Sequence, residues 1–143
     1  MEFETSVRIE RAVDEVFDYV SDPRNFPRWN SAVQAVSVTS GEGDPGSTYL
    51  MERELPGGPA QNELEILDRD RPTEFAIRTT SGPTPFVYRY RFDSDGPTTV
   101  VHLAAEVKLS GIARALGPLG ARVVKRGVDA NVATLRQILQ ANG

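Results

Sequence analysis

VRIERAVDEVFDYVSDPRNFPRW, residues 7–29, contains the end of one strand and two short helical segments. Apolar and polar residues alternate over residues 2–10, which predicts a strand with one buried face. Over residues 12–20 the apolar side chains recur at helical spacing, which predicts an amphipathic helix. Asp22-Pro23 ends that helix, because proline cannot continue it. Residues 23–30, interrupted by Pro27, predict a second short helix or a compact turn.

Beyond residue 30 the chain alternates between short strand-like segments and clusters of Gly, Pro and Asp. Such clusters predict tight turns, and strands joined by tight turns are expected to pair in antiparallel fashion. The predicted strands are residues 32–40, 47–55, 61–69, 74–81, 86–93 and 98–109.

Helical periodicity returns at Ile112, and Gly117-Pro118 and Gly120 predict an early break. A long amphipathic helix is predicted over residues 121–141. The expected fold class is therefore α+β, with one domain over residues 1–143. In it a curved antiparallel sheet of about seven strands wraps around a long C-terminal helix, and two short helices follow the first strand. Because one helix about 10 Å wide does not fill such a concave sheet, we expect an internal apolar cavity.

The composition excludes several classes of site and partner. The chain has no cysteine and one histidine, His102, so disulfides, thiolate nucleophiles and cysteine- or histidine-rich metal centres are excluded, and no metal or cofactor is expected. A net charge of -4 argues against nucleic acid as a partner. The N-terminus lacks a secretion signal and no apolar run is long enough to span a membrane. We therefore expect a cytoplasmic protein without integral membrane association, as a monomer or a weak dimer.

Taken together, these segments resemble the START-like (SRPBCC) superfamily, and within it the polyketide cyclase/dehydrase-like group with the helix-grip fold. The most specific match is the helix over residues 13–20 followed by Ser21-Asp22-Pro23 and Phe26-Pro27-Arg28-Trp29. Ala12 departs from the pattern, since proline is common there. The resemblance covers essentially the whole chain. Members of this superfamily carry lipids, bind hormones, shape polyketides or serve chaperones, and they share no universal catalytic residue, so the resemblance implies a fold rather than an activity.

The inward faces of the predicted strands and last helix are almost wholly apolar or aromatic. Such a lining is typical of a site for a small hydrophobic molecule, although a completely filled core has the same pattern. The proline- and glycine-rich loops at residues 55–60 and 81–85 are predicted to gate access. The residues expected to line the cavity are Tyr49, Met51, Ile77, Thr79, Phe86, Tyr88, Tyr90, Val101, Leu103, Val124 and Val128.

Tyr49 and Arg53 are the candidate catalytic residues, because a phenol and a guanidinium on one strand face can orient a carbonyl or enolate oxygen. The alternative places Tyr49 in the core and extends Arg53 to the cavity mouth. His102 lies between two inward residues and is predicted to point outward. Trp29 is interpreted as fixing the short helices against the sheet rather than as a ligand contact.

Two groups of charged residues are also candidates. The paired carboxylates Glu63 and Glu65, like Glu52 and Glu54, invite an acid–base interpretation but are predicted to face solvent. The second group is basic and lies near the start of the last helix. It suits either an anionic head group or membrane, or simply a solvated helix face. This basic group consists of Arg114, Arg122, Lys125 and Arg126.

Three functions are consistent with these patterns. The first is binding of a small lipophilic ligand (a lipid, a polyketide or another hydrophobic metabolite) in the internal cavity. The second is a polyketide cyclase or aromatase, which requires Tyr49, Arg53, Tyr88 or Tyr90 to converge in the cavity. The third is a protein-interaction module with a collapsed cavity, which a cavity too small for anything beyond water molecules favours.

Overall fold

The computed structural model describes residues 1–55 and 57–141 and contains one seven-stranded antiparallel sheet. The strands β1 to β7 are Glu2–Ile9, Val33–Ser40, Thr48–Leu55, Gly58–Asp70, Glu74–Ser81, Phe86–Asp95 and Thr98–Val107. The helices α1 to α4 are Val13–Val20, Phe26–Trp29, Gly111–Ala115 and Pro118–Ala141, and a 3-10 turn, Pro23–Asn25, precedes α2. The strand order is β1-β7-β6-β5-β4-β3-β2, so β1 and β2 form the two edges.

The predicted order of elements is confirmed, and two boundaries differ by three residues, whereas the others differ by two or fewer. The strand predicted at residues 61–69 begins at Gly58, whose φ of 119° allows Leu55 and Gly58 to pair across a tight hairpin. The long helix begins at Pro118 rather than residue 121, because proline suits the first turn of a helix, where its missing N–H is not needed. The predicted break is the junction between α3 and α4.

Three helices cover the inner face of the sheet rather than one. The α1 helix places Phe17 against Phe92 of β6, with ring centroids 5.1 Å apart and an edge-to-face geometry. The α4 helix buries one face, which includes Val128, Val132 and Leu135. The β7 strand contributes alternate side chains to this core, as the period of two predicts.

Polar contacts fix α4 at its middle and at its end. The Arg11 guanidinium donates to the carbonyl oxygens of Leu139 (2.9 Å) and Gln140 (3.0 Å), which the last turn of a helix leaves unpaired. Near the middle of α4, the side-chain oxygen of Asn131 accepts from the backbone N–H of Ser31, 3.2 Å away, just before β2. The helix is thus held both at the β1 edge and at the β2 edge of the sheet. Among the described residues, no helix is long and apolar enough to cross a membrane.

Candidate functional site

A small inward pocket lies between α2, the start of β2 and the inner faces of β3 and β6. Its volume is about 20 Å³, which is room for one water molecule. The internal cavity predicted from the sequence is therefore not of ligand size in this conformation. The physical reason is that the prediction counted only one covering helix and left out the volume of the aromatic rings. The lining residues are Phe26, Trp29, Asn30, Val33, Met51, Arg53, Phe86, Tyr88 and Tyr90.

Aromatic side chains occupy most of the space that the curved sheet leaves. On β6, alternation directs Phe86, Tyr88 and Tyr90 inward, and the rings of Phe86 and Tyr88 are stacked with centroids 4.2 Å apart. From α2, the rings of Phe26 and Trp29 meet edge to face at 5.6 Å. Both groups line the same pocket.

Arg53 forms the polar end of the pocket. One guanidinium nitrogen, Nη1, donates to Asn62 Oδ1 (3.1 Å) and to the carbonyl oxygens of Thr84 (3.3 Å) and Pro83 (3.4 Å). The guanidinium carbon lies 5.7 Å from the centre of the Phe86 ring, within the range of a cation–π contact. Burial lowers the pKa of Arg53, but an arginine remains a cation at neutral pH. The pocket therefore has one fixed positive charge at its end.

Asn62 holds the loop at residues 81–85 against this end. It is completely buried, and its amide nitrogen donates to the carbonyl oxygens of Ser81 (3.0 Å) and Pro83 (2.9 Å). The loop approaches β4 so closely at Gly82 that a Cβ there would overlap the carbonyl oxygen of Gln61. Asn62 was not among the predicted site residues, although the alternation of β4 places this polar side chain on the inward face.

Trp29 adds an unpaired hydrogen-bond donor to the pocket. The residue is 4% exposed, and its indole Nε1 has no acceptor among the residues that the structure describes. A buried donor without a partner costs about 1–3 kcal/mol. A ligand oxygen placed in reach of this N–H would accept a hydrogen bond from it.

The two pocket tyrosines remain neutral at physiological pH. Burial raises the pKa of Tyr88 to about 12, and the nearby Arg53 cation opposes this shift. Burial also raises the pKa of Tyr90 well above its ordinary value of 10. Both hydroxyls therefore act as neutral donors or acceptors rather than as phenolates.

The structure brings together five of the predicted site residues and leaves the others outside the pocket. Met51, Arg53, Phe86, Tyr88 and Tyr90 line it. The remaining predicted residues lie within the core or at its edge, where they fill space between sheet and helices. These are Tyr49, Ile77, Thr79, Val101, Leu103, Val124 and Val128.

Tyr49 and Arg53 do not form the joint catalytic site that the sequence suggested. They are four positions apart on β3, which corresponds to about 13 Å along a strand. The Tyr49 hydroxyl lies beside Gly43, outside the pocket, and burial raises its pKa. The alternative, with Tyr49 in the core and the arginine reaching the loop at the pocket end, describes the structure better.

The α2 helix and the start of β2 also contribute to the pocket, which the sequence pattern did not predict; they supply Phe26, Trp29, Asn30 and Val33. Trp29 does fix α2 against the sheet, as predicted, but it also lines the pocket. Periodicity did not reveal this second contact, because α2 has only four residues and its approach to the sheet depends on the turn before it.

The other candidates lie on the outer face. His102 Nε2 is 2.9 Å from Asp93 Oδ2 there, so the predicted outward orientation is confirmed. Glu65 pairs with Arg78 at 2.7 Å on the same outer surface. In the described part of the chain, no cluster of three or more His, Asp or Glu residues is arranged to hold a metal ion.

Of the two loops predicted to gate the pocket, only residues 81–85 touch its polar end. The described residues of the loop at 55–60 belong to the β3–β4 hairpin and none of them lines the pocket, so its role as a gate stays a prediction. Pro56 lies outside the described residues.

Comparison with known proteins identifies relatives at the level of family and fold. The sequence model of the family described as "Polyketide cyclase / dehydrase and lipid transport" matches residues 1–140. Among curated proteins, none matches significantly.

Solved structures match over nearly the whole chain. A START superfamily protein from Mycobacterium smegmatis has a TM-score of 0.82 at 15% identity, with 99% of each chain covered. A protein from Thermus thermophilus, TTHA0849, has a TM-score of 0.84 at 16% identity, with 100% of this chain and 99% of that chain covered. The Zhui aromatase/cyclase from Streptomyces sp. R1128 has a TM-score of 0.76 at 12% identity, with 98% of this chain and 93% of that chain covered. These similarities show the START-like helix-grip fold.

Proposed function

The chain belongs to the polyketide cyclase/dehydrase and lipid transport family, and from this premise we propose that it binds a small lipophilic molecule in the inward pocket. The ligand carries at least one oxygen acceptor, and its apolar part replaces contacts among the aromatic rings. The observation that carries this proposal is an aromatic pocket with two fixed donors inside it, the unpaired Trp29 indole N–H and the Arg53 guanidinium.

Room for the ligand comes from movement of the α2–β2 side of the pocket. β2 is an edge strand, and Val33 is its only fully buried side chain. Its pairing with β3 is irregular at two places, next to Val33 and near Ser40. An edge segment with few buried contacts opens at lower free energy than the central strands. The pocket of about 20 Å³ is thus the closed state, and the ligand stabilises an opened one.

The intrinsic fluorescence of Trp29 offers a direct assay, because it is the only tryptophan in the chain and it lines the pocket. Titration with oleate and, separately, with 2-naphthol is expected to change its emission in a saturable manner. Native mass spectrometry of the same mixtures is expected to show one molecule bound per chain. If neither probe gives a saturable change, and the protein purifies with a clean apo mass, the binding proposal is wrong.

A pair of arginine variants tests the assigned polar end. Arg53→Met is expected to weaken oleate binding by about 10-fold to 100-fold, the equivalent of one lost charge-assisted hydrogen bond of about 1.5–3 kcal/mol. Arg69→Met is the matched control, since Arg69 also lies over an aromatic ring, 5.2 Å from the centre of Phe17, but outside the pocket. Equal effects of the two changes would contradict the assignment.

A cyclase or aromatase activity is the second candidate, and the convergence of Arg53, Tyr88 and Tyr90 on one pocket favours it. In that function the cation stabilises a developing enolate oxygen while neutral phenols hold the chain bent. The test is incubation with a linear poly-β-ketone and analysis of the cyclised products. Tyr88→Phe is expected to shift the products toward those of the spontaneous reaction, and an unchanged product ratio argues against this role.

The small volume of the pocket favours a third candidate, a protein-interaction module with a collapsed cavity. The binding assay separates it from the first candidate. A module of this kind shows no probe binding in either the wild-type chain or the Arg53→Met variant, and the variant loses only stability.

A further inference from the structure

The junction between α3 and α4 exposes a group of apolar side chains that the core does not use. Six large apolar side chains are exposed among the described residues, and four of them fall between residues 112 and 123. Exposed apolar residues are common singly, but a contiguous group indicates an interaction surface. The group consists of Ile112 (55% exposed), Leu116 (47%), Leu119 (57%) and Val123 (56%).

Positive charge surrounds this group on a protein of net charge -4. No acidic residue occurs between Glu106 and Asp129, whereas five basic residues do. Lys125 pairs with Asp129 at 2.9 Å. The ion pairs found in the described part of the chain do not involve Arg114, Arg122 or Arg126. Three guanidinium groups are therefore free for an external anion.

The apolar and basic side chains share one helix face. Leu119, Arg122, Val123 and Arg126 are three, four and seven residues apart, so they are neighbours on the solvent side of α4. The buried face of the helix, with Val128 and Leu135, is on the opposite side.

The turn between α3 and α4 holds Leu116 next to Leu119, whose N–H donates to the Leu116 carbonyl oxygen at 3.3 Å, and Ile112 lies one turn before Leu116. A Cβ at Gly120 would overlap the carbonyl oxygen of Ala113, so only glycine permits the approach. We name the resulting surface, formed by residues 112–126, the α3–α4 ridge.

We propose that the α3–α4 ridge docks onto an anionic lipid bilayer. Its apolar side chains insert at the level where head groups meet acyl chains, and the three free arginines contact lipid phosphates. A second copy of the chain is a poorer match, because a symmetric contact would oppose arginine with arginine. A protein partner needs acidic residues placed opposite the arginines, whereas an anionic bilayer presents phosphates over its whole surface.

The ridge adjoins the polar end of the pocket through Ser110, the residue before α3. Ser110 Oγ is 2.9 Å from Thr84 Oγ1 and accepts from the Thr84 N–H at 3.2 Å. The carbonyl oxygen of the same threonine accepts from Arg53. A docked protein thus holds this end of the pocket near the membrane surface. The α3–α4 ridge contains no residue that lines the pocket, so membrane docking does not require that the pocket binds a ligand.

Vesicle co-sedimentation tests the proposal. The full chain is mixed with phosphatidylcholine vesicles and with vesicles that also contain ~30 mol% phosphatidylglycerol. Binding is expected only to the anionic vesicles and is expected to weaken with added salt. Replacing Arg122→Gln together with Arg126→Gln is expected to lower the partition coefficient about 30-fold, or about 2 kcal/mol, at about 1 kcal/mol for each basic residue.

The variant Leu119→Ser with Val123→Ser is expected to lower the partition coefficient about tenfold, because the inserted apolar area is lost. Arg136→Gln is the matched control, since Arg136 is also exposed on α4 but lies outside the ridge, and it is expected to leave binding unchanged. Thermal unfolding by circular dichroism checks that each variant folds.

Four results would overturn the proposal: no binding to anionic vesicles, equal binding to neutral ones, an Arg136→Gln loss as large as that of the ridge variants, or a solution dimer that the Leu119→Ser and Val123→Ser changes dissolve. Retention on poly-glutamate that depends on the arginines but not on Leu119 and Val123 would indicate an acidic polypeptide partner instead.

Discussion

Replacing Asn62 with leucine is expected to lower the free energy of unfolding by about 3–4 kcal/mol. The side chain makes three hydrogen bonds, two to loop carbonyl oxygens and one to the Arg53 cation. Neutral bonds contribute about 1 kcal/mol each and the bond to a charged group about 1.5–3 kcal/mol. The total is reduced because Ser81 and Pro83 are exposed, so their freed carbonyl oxygens regain water.

Urea denaturation, followed by circular dichroism and by Trp29 emission, measures this loss. Gln61→Leu is the control, because Gln61 is the preceding residue of β4 on its exposed face, and its change is expected to stay within about 0.5 kcal/mol. A double-mutant cycle with Arg53→Met is expected to give a coupling energy of at least about 1 kcal/mol, since the two side chains share a bond.

A loss below about 1 kcal/mol for Asn62→Leu would refute this reasoning. It would mean that the loop at residues 81–85 is held by its own turn geometry rather than by the buried amide. A coupling energy near zero would separately show that Arg53 is not held by Asn62, and the pocket would then lack a fixed cation.

Two further predictions concern pH and backbone fit. Burial raises the pKa of the Tyr88 hydroxyl from 10 to about 12, so the unfolded chain loses this proton at a lower pH than the folded protein does. The contribution of the neutral hydroxyl to the free energy of unfolding is therefore complete below pH 10 and is lost as the pH rises toward 12. Urea denaturation across this range is expected to show a fall of about 2 kcal/mol that Tyr88→Phe reduces, and an equally steep fall in that variant would contradict the assignment. Gly120→Ala is expected to destabilise the protein by about 1–3 kcal/mol, because its methyl group would overlap Ala113. Gly127→Ala, where the added methyl group meets nothing, is expected to stabilise it by about 0.5–1 kcal/mol, and thermal unfolding compares the two.

Alternation predicted the sheet well because one of its faces is buried along nearly every strand. In β7, Val101, Leu103, Ala105 and Val107 are buried, whereas the residues between them are at least partly exposed. A register error of one residue would have exposed all four side chains, so the pattern fixed the inner face before any pairing was known. The same logic placed His102 outside.

The pocket was less predictable because its volume is the small difference between the space that the sheet and helices enclose and the volume of the side chains that fill it. Alternation shows that Phe86 and Tyr88 point inward, but not that their rings stack and fill the space. It also does not show how far the four-residue α2 brings Trp29 over the sheet. The role of Asn62 could not be predicted, because the sequence does not show that its buried amide meets the carbonyl oxygens of the loop at residues 81–85.

The closed pocket and the unpaired donor together explain why a ligand is expected despite the small volume. Opening a fully apolar, close-packed core loses packing contacts and forms no new hydrogen bond in return. Here the Trp29 N–H lacks an acceptor among the described residues and the Arg53 cation is partly desolvated. In the proposed bound state an oxygen-bearing hydrophobe would accept hydrogen bonds from these donors, whereas opening the α2–β2 side exposes the buried side chains of Phe26, Trp29 and Val33. Under the binding proposal, the free energy gained at these two donors must exceed the cost of exposing those side chains.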